Sequence, residues 1–229
     1  MDRDPMDGGG AALAAAVDAV GRWWKEAPYF EAAERHMDEQ WNELGLPFLG
    51  SAGTTVDWAE VVELGAGRGR SAAKLLPLAG RLHLVDLHPN NLDACHRRFG
   101  ADPRLRFHVT DGRSLPLRDA AATFLFSFDS MAHFDSDVVR AYVREARRVL
   151  RPGGHAFLHH SNTTAHPGGD FEGAPHWRNF MSRELLAHYA LKEGLEVVRQ
   201  KPIDWAGGGS FIDCFSLLRR PVAGAFSPA

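Results

Sequence analysis

Glu63 stands two residues ahead of Gly65, and Gly65, Gly67 and Gly69 then alternate with Ala66, Arg68 and Arg70. A carboxylate beside closely spaced glycines is suited to a compact ligand that carries positive charge. The glycines allow φ > 0 and let the ligand lie against the backbone, while the acid answers the charge. Further along come Asp86, the pair Asp111-Gly112, the run Phe128-Asp129-Ser130-Met131-Ala132-His133 and the run His159-His160-Ser161-Asn162. A carboxylate such as Asp86 can accept two vicinal hydroxyls in a bidentate way. A histidine near neutral pKa can take a proton from an alcohol during bond formation.

These groups fall at the ends of alternating strand and helix signals. Apolar runs predict strands over 59–64, 81–86, 105–110, 122–128 and 155–160. Between them, helices are expected near 69–79, from Pro89 to about Phe99, and from a Ser136 cap along the stripe Val138, Val139, Tyr142, Val149 and Leu150. Arg151-Pro152-Gly153-Gly154 reads as the stop of that last helix. Ser182 can cap another helix, ending at Gly194. The segments 195–203 and 210–218, joined by Gly207-Gly208-Gly209, read as a closing hairpin. Repeated βα units imply an α/β fold with a seven-stranded, mainly parallel sheet, one strand antiparallel, covered on both faces. Ligands in such a sheet lie beyond the carboxyl ends of the strands, where Gly65, Asp86, Asp111, Asp129 and His160 all fall.

Ahead of this core, Leu13, Val17, Val20 and Trp24 recur at helical spacing, as do Phe30, Ala33, Met37, Trp41 and Leu44, with Pro28 between the two stripes. The expected organisation is a disordered lead over 1–10, an N-terminal helical cap over 11–53, the ligand-binding domain over 54–220 and a disordered tail over 221–229. The cap reads as packing against the core and as a lid over part of an acceptor pocket.

The glycine pattern separates two ligand classes. In the dinucleotide fingerprint the third glycine falls three residues after the second; here that position is Arg70, and the third glycine is Gly69. An acid two residues before the first glycine would face a pyrophosphate badly, but it suits an ammonium and a sulfonium. The sequence here resembles the class I S-adenosylmethionine-dependent methyltransferases, whose first motif is [D/E]-x-G-x-G-x-G at a strand-to-helix turn. Asp86, Asp111-Gly112, Phe128-Asp129 and Leu150-Arg151-Pro152-Gly153-Gly154 stand at that family's further stations, and the resemblance covers 59–218. It implies a Rossmann-like methyltransferase fold and S-adenosylmethionine as cofactor. It places Glu63, Gly65, Ala66, Gly67, Gly69, Asp86, Leu87, Asp111, Gly112 and Phe128 on that cofactor: Asp86 at the ribose hydroxyls, Asp111 at the adenine amino group, Phe128 and Asp129 beside the methyl donor.

The acceptor must then meet the residues after strands four and five. His133, His160 and Asp129 are the candidate catalytic groups, with a histidine as general base. His159 ranks below His160, because neighbours on a regular strand point to opposite faces. Asp129, Asp135, His159, His160, His166, Asp170 and His176 offer oxygen and nitrogen for a divalent ion, yet their spacing matches no metal motif, and no metal ligands are assigned. The Asn-Pro-Pro-Tyr motif of amino-directed DNA methyltransferases is absent, and a net charge of −3 gives no footprint for general nucleic-acid binding. No apolar run is long enough to span a bilayer, no basic signal-peptide region leads the chain, and Cys95 and Cys214 form no C-x-x-C pair, so a reducing, cytoplasmic setting is expected. The expected activity is methyl transfer to a hydroxyl of a small polar acceptor, sugar-like or a secondary metabolite. The alternatives are an amine acceptor, an RNA or protein acceptor, and a protein that binds the cofactor without chemistry.

Overall fold

The computed structural model describes residues 7–25, 29–168, 177–205 and 207–222. Among them, seven strands form one sheet in the order β3-β2-β1-β4-β5-β7-β6. β1 (Glu60–Leu64), β2 (Arg81–Asp86), β3 (Leu105–Val109), β4 (Ala122–Ser127) and β5 (Leu150–Ser161) run parallel. β7 (Asp213–Arg219) enters antiparallel between β5 and β6 (Glu196–Ile203). The expected α/β sheet with one antiparallel strand is therefore present. Its order reverses between β1 and β4, and a crevice opens beyond the carboxyl ends of strands at such a switch point.

Helices bury both faces, which is why β4 is buried along its whole length. On one face α7 (Ser136–Val149) and α8 (Arg183–Lys192) press Val139, Val143, Ala146, Leu186 and Ala190 against Val62, Leu64, Leu125 and Leu158. On the other, α5 (Ala72–Leu75) and α6 (Pro89–Phe99) set Leu75, Leu92 and Cys95 against Val61, Leu84 and Phe126.

The N-terminal segment divides between the two faces. α1 (Asp7–Trp24) takes in residues expected to be a loose lead, and its Val17 joins the α7 side of the core. The second expected helix is broken into α2 (Tyr29–Glu34), α3 (Met37–Glu39), a π-helical turn (Gln40–Gly45) and α4 (Leu46–Gly50). Met37, Trp41, Phe48 and Leu49 of this run lie in the opposite core, with Phe48 edge-on to Phe157 and Phe215. Residues 37–50 are thus a layer of the core, while α1 and α2 pass over the strand ends. No helix among the described residues is long and apolar enough to cross a membrane.

One strand differs from expectation with consequences for the site. β5 begins at Leu150, which pairs with Ala122, and the register shifts before Phe124 meets His155. Arg151–Gly154 is a bulge inside the strand, with Gly153 at φ 85°. A Cβ on Gly154 would stand 2.9 Å from the Thr123 carbonyl, so the close approach there requires glycine. Asp170, His176 and residues 223–229 lie outside the described residues.

Candidate active site

The glycine turn is built onto the end of β2. The Gly65 and Ala66 N–H groups both donate to the Val85 carbonyl, at 2.9 and 3.1 Å, and the Gly67 N–H donates to Asp86 Oδ2 at 2.8 Å. Asp86 Oδ1 accepts the His88 N–H at 2.9 Å and Asn91 Nδ2 at 3.0 Å. The protein thereby fills three of roughly four lone-pair positions on this carboxylate. One hydroxyl can be added directly, and the second only if the Gly67 bond yields.

Gly65 and Gly67 both have positive φ, and a Cβ on either would strike the walls: Ser130 Oγ at 2.3 Å from Gly65, the Phe30 ring at 2.9 Å from Gly67. Gly69 serves a different purpose. A Cβ there would stand 2.6 Å from Phe99, and the residue is outside the cleft, so it allows the turn to pack on α6. Asp111 lies outside the residues lining the cleft, and its Oδ1 accepts the N–H groups of Arg113 and Ser114 and the Ser114 hydroxyl at 2.7 to 2.9 Å in an Asx-type turn. Thr110 and Gly112 line the cleft in its place.

Glu63, Gly65, Ala66, Gly67, Asp86, Leu87, Gly112, Phe128, Asp129 and His133 all face one cleft of about 1090 Å³ counted out to its mouth. α1 and α2 roof it with Val17, Val20, Trp24, Tyr29 and Phe30, residues whose role was legible beforehand only as a lid. Glu63 is buried, and its Oε2 has no hydrogen-bond partner among the described residues. Burial drives its pKa well above the usual carboxylate range, with Arg70 pulling against that. A buried acid without a partner is costly, and a cationic ligand group in the cleft answers it. The glycine cradle and this acid fit S-adenosylmethionine.

The reacting corner lies at the end of β4. Asp129 takes a left-handed conformation, φ 57°, uncommon outside glycine. Its backbone N–H donates to His159 Nδ1 at 2.9 Å, and its Oδ2 accepts the Tyr29 hydroxyl at 2.5 Å and Arg70 at 2.9 Å. Although burial opposes ionisation, Arg70 and the neighbouring histidines hold this carboxyl below its ordinary pKa. Tyr29 is pushed the other way by burial and by Asp129. His159 Nε2 lies 3.2 Å from Asp213 Oδ2. Asp213 is fully buried and accepts both Arg178 Nε and an Arg178 terminal nitrogen, at 2.8 and 2.7 Å, as well as Trp205 Nε1 at 2.6 Å. These partners, with His159, keep it far below the normal range.

The three histidines divide clearly. His133 lines the cleft; its Nδ1 lies 2.8 Å from the Trp177 carbonyl, which can only accept, so Nδ1 carries the proton and Nε2 is the acceptor. Nε2 has no partner among the described residues, and Trp24 packs on the ring at 4.5 Å. Burial and Arg178 lower the His133 pKa to about 4. His160 points away from the cleft: Nδ1 meets the Ser161 carbonyl and Nε2 the Ser216 hydroxyl, both at 2.8 Å. His159, ranked below it, lines neither chamber; it is fully buried behind the cleft wall, against Asp129 and Phe128. The alternation argument holds, but neither ring reaches the cleft.

A second chamber of about 890 Å³ adjoins the first and shares Trp24, Tyr29, Asp129 and His133 with it. Its other lining includes Gln40, Trp177, Arg178, Asp204 and Trp205. Arg178, Trp205 and Asp213 were missed as site residues. The available signal was Asp213, an acid inside the otherwise apolar strand at 210–218.

Residues 61–154 match the methyltransferase domain family. Over 100 residues the chain is 29% identical to the non-reducing polyketide synthase tazA of Aspergillus terreus, a match covering 41% of this chain and 4% of that protein. The chain therefore spans a small part of that relative's length. Among solved structures it is similar to an S-adenosylmethionine-dependent methyltransferase of Leishmania major, with TM-score 0.71, 12% identity, and 89% of this chain and 83% of that one covered. It is also similar to the geranyl diphosphate C-methyltransferase of Streptomyces coelicolor A3(2), with TM-score 0.65, 17% identity, and 90% and 97% covered. At these identities the structural likeness shows the fold.

Proposed function

We propose, from the premise that the core of this chain is a class I S-adenosylmethionine-dependent methyltransferase domain, that the enzyme methylates a hydroxyl of a small molecule. Glu63, Gly65, Ala66, Gly67, Asp86, Leu87 and Gly112 would hold S-adenosylmethionine, with Phe128 and Asp129 beside its reactive end. The bound cofactor supplies an electrophilic methyl group on a sulfonium.

The observation that carries the hydroxyl reading is His133. Its Nδ1–H is committed to the Trp177 carbonyl, and Nε2 stays unprotonated at neutral pH with no protein partner among the described residues. Such a nitrogen accepts the acceptor's proton as the new bond to oxygen forms. The resulting imidazolium is opposed by Arg178 and stabilised by the Asp129 and Asp213 carboxylates. Trp24 against the ring keeps water from that nitrogen. Positioning supplies the rest of the acceleration.

Carbon acceptors bearing a diphosphate, such as the one named for the Streptomyces coelicolor neighbour, find less support. Arg178 in the second chamber is already bidentate on Asp213. The test is mass spectrometry of a hydroxylated acceptor panel with wild type and His133→Ala, with S-adenosylhomocysteine affinity measured alongside. O-methylated product that is lost in the variant at unchanged cofactor affinity supports the reading; full turnover in the variant overturns it.

A further inference from the structure

The second chamber combines aromatic rings with two acids, Asp129 and Asp204, and the donors Gln40, Arg178 and Ser210. Trp24, Tyr29, Trp177 and Trp205 supply aromatic surface. His133 Nε2 and Asp204 Oδ1 are buried atoms, both without a hydrogen-bond partner among the described residues, and a carboxylate oxygen and the unprotonated imidazole nitrogen both accept. Asp204 Oδ2 takes the Gly209 N–H at 2.6 Å, which fixes the carboxylate in place.

The charged groups of the lining differ in their partners. Asp129 is matched by Arg70, and Arg178 by Asp213. Asp204 has no ion pair among the described residues, so the described lining presents one carboxylate without a cationic side chain beside several indoles. Gln40 and Ser210 on the wall can donate as well as accept, so hydrogen bonding alone does not choose between a neutral polyol and a cation; the carboxylate and the rings do. A cation neutralises the carboxylate and is attracted to the faces of the rings.

We infer that the second chamber binds the methyl acceptor, and that this acceptor is a hydroxylated amine. Its ammonium group sits with Asp204 and the Trp177 and Trp205 rings, and its hydroxyl reaches His133. Asp204 is then a specificity residue. The inference rests on the O-methylation reading for the role of His133, whereas the ammonium site stands on the lining alone.

The two parts separate experimentally. Binding to the full chain saturated with S-adenosylhomocysteine is followed by tryptophan fluorescence for three amine–alcohol pairs of increasing size: ethanolamine and ethylene glycol, tyramine and tyrosol, glucosamine and glucose. At least one amine should bind about tenfold or more tightly than its neutral partner, and Asp204→Asn should abolish that preference while leaving S-adenosylhomocysteine affinity unchanged. Asparagine retains an oxygen for the Gly209 N–H, and if the variant nevertheless fails to fold, the wild-type preference alone decides. Equal binding within every pair, no binding by any amine, or a preference that survives in folded Asp204→Asn overturns the site. Amine binding without O-methylation retains the site and rejects the hydroxyl chemistry; a methyl group found on the amine nitrogen overturns the placement of the ammonium at Asp204.

Discussion

The Asp129 N–H donates to His159 Nδ1 at 2.9 Å, and this bond joins the turn after β4 to the carboxyl-terminal end of β5. It holds Asp129 in its left-handed conformation, from which the carboxylate meets Tyr29 and Arg70. Because a backbone N–H can only donate, Nδ1 is the acceptor nitrogen of His159 and Nε2, 3.2 Å from Asp213 Oδ2, carries the proton. His159→Phe leaves a buried N–H without an acceptor. It should cost about 1–3 kcal/mol in urea unfolding and reduce turnover through displacement of Asp129. Unchanged stability in that variant would remove the bond from the account.

His133→Ala should lower the turnover number by about 100- to 10,000-fold, the usual range for loss of a general base. S-adenosylhomocysteine affinity should be unaltered if, as proposed, the cofactor is held by residues of β1, β2 and the glycine turn. Calorimetry and steady-state rates measured on one preparation separate the two effects.

Stability should fall as the pH drops below about 6.5. An unfolded histidine titrates near that value, whereas His133 and His160 are held to about 4 by burial. Between the two values the unfolded chain binds more protons, so protonation favours unfolding. Asp129 and Asp213 act with the same sign lower on the scale, since their pKa values are depressed in the folded state. Urea midpoints measured from pH 4 to 8 should rise to a plateau near neutrality, and His160→Gln should make the acid limb less steep. Glu63, raised in the folded state, acts with the opposite sign over part of this range, so the decisive comparison is with the variant: an acid limb equally steep in His160→Gln would contradict the burial of that ring.

Gly65→Ala should abolish cofactor binding, because the added carbon meets Ser130 Oγ at 2.3 Å in a residue with φ 74°. Gly50→Ala is the control. No atom lies within 4 Å of a Cβ there, the residue is helical, and alanine in a helix is favoured over glycine by roughly 1 kcal/mol. Thermal melts with and without S-adenosylhomocysteine read both effects.

The parts of the site that lie within one strand–turn–helix unit were legible in the sequence. Glu63, Gly65, Gly67 and Asp86 are local to β1 and β2, and their spacing nearly determines their geometry. For Asp111, spacing does not show that one carboxylate oxygen is taken by a local Asx turn and that the residue lies outside the cleft lining. The choice between His159 and His160 depended on the phase of β5, which the bulge at Arg151–Gly154 resets. Tyr29, Arg178 and Asp213 come together from α2, the segment after 176 and β7, so only the folded chain reveals them. An acid such as Asp213 within an apolar strand is nonetheless a sequence signal for a buried ion pair.

The roof over the cleft is fastened at several points. Val17 fills the space above Gly112, the His88 ring bonds the Gly21 carbonyl at 2.8 Å, Glu34 pairs with Arg98, and Tyr29 bonds Asp129. These contacts tie the roof to three separate elements, the loop after β2, α6 and the turn after β4, so a ligand that displaces it breaks contacts with all three together.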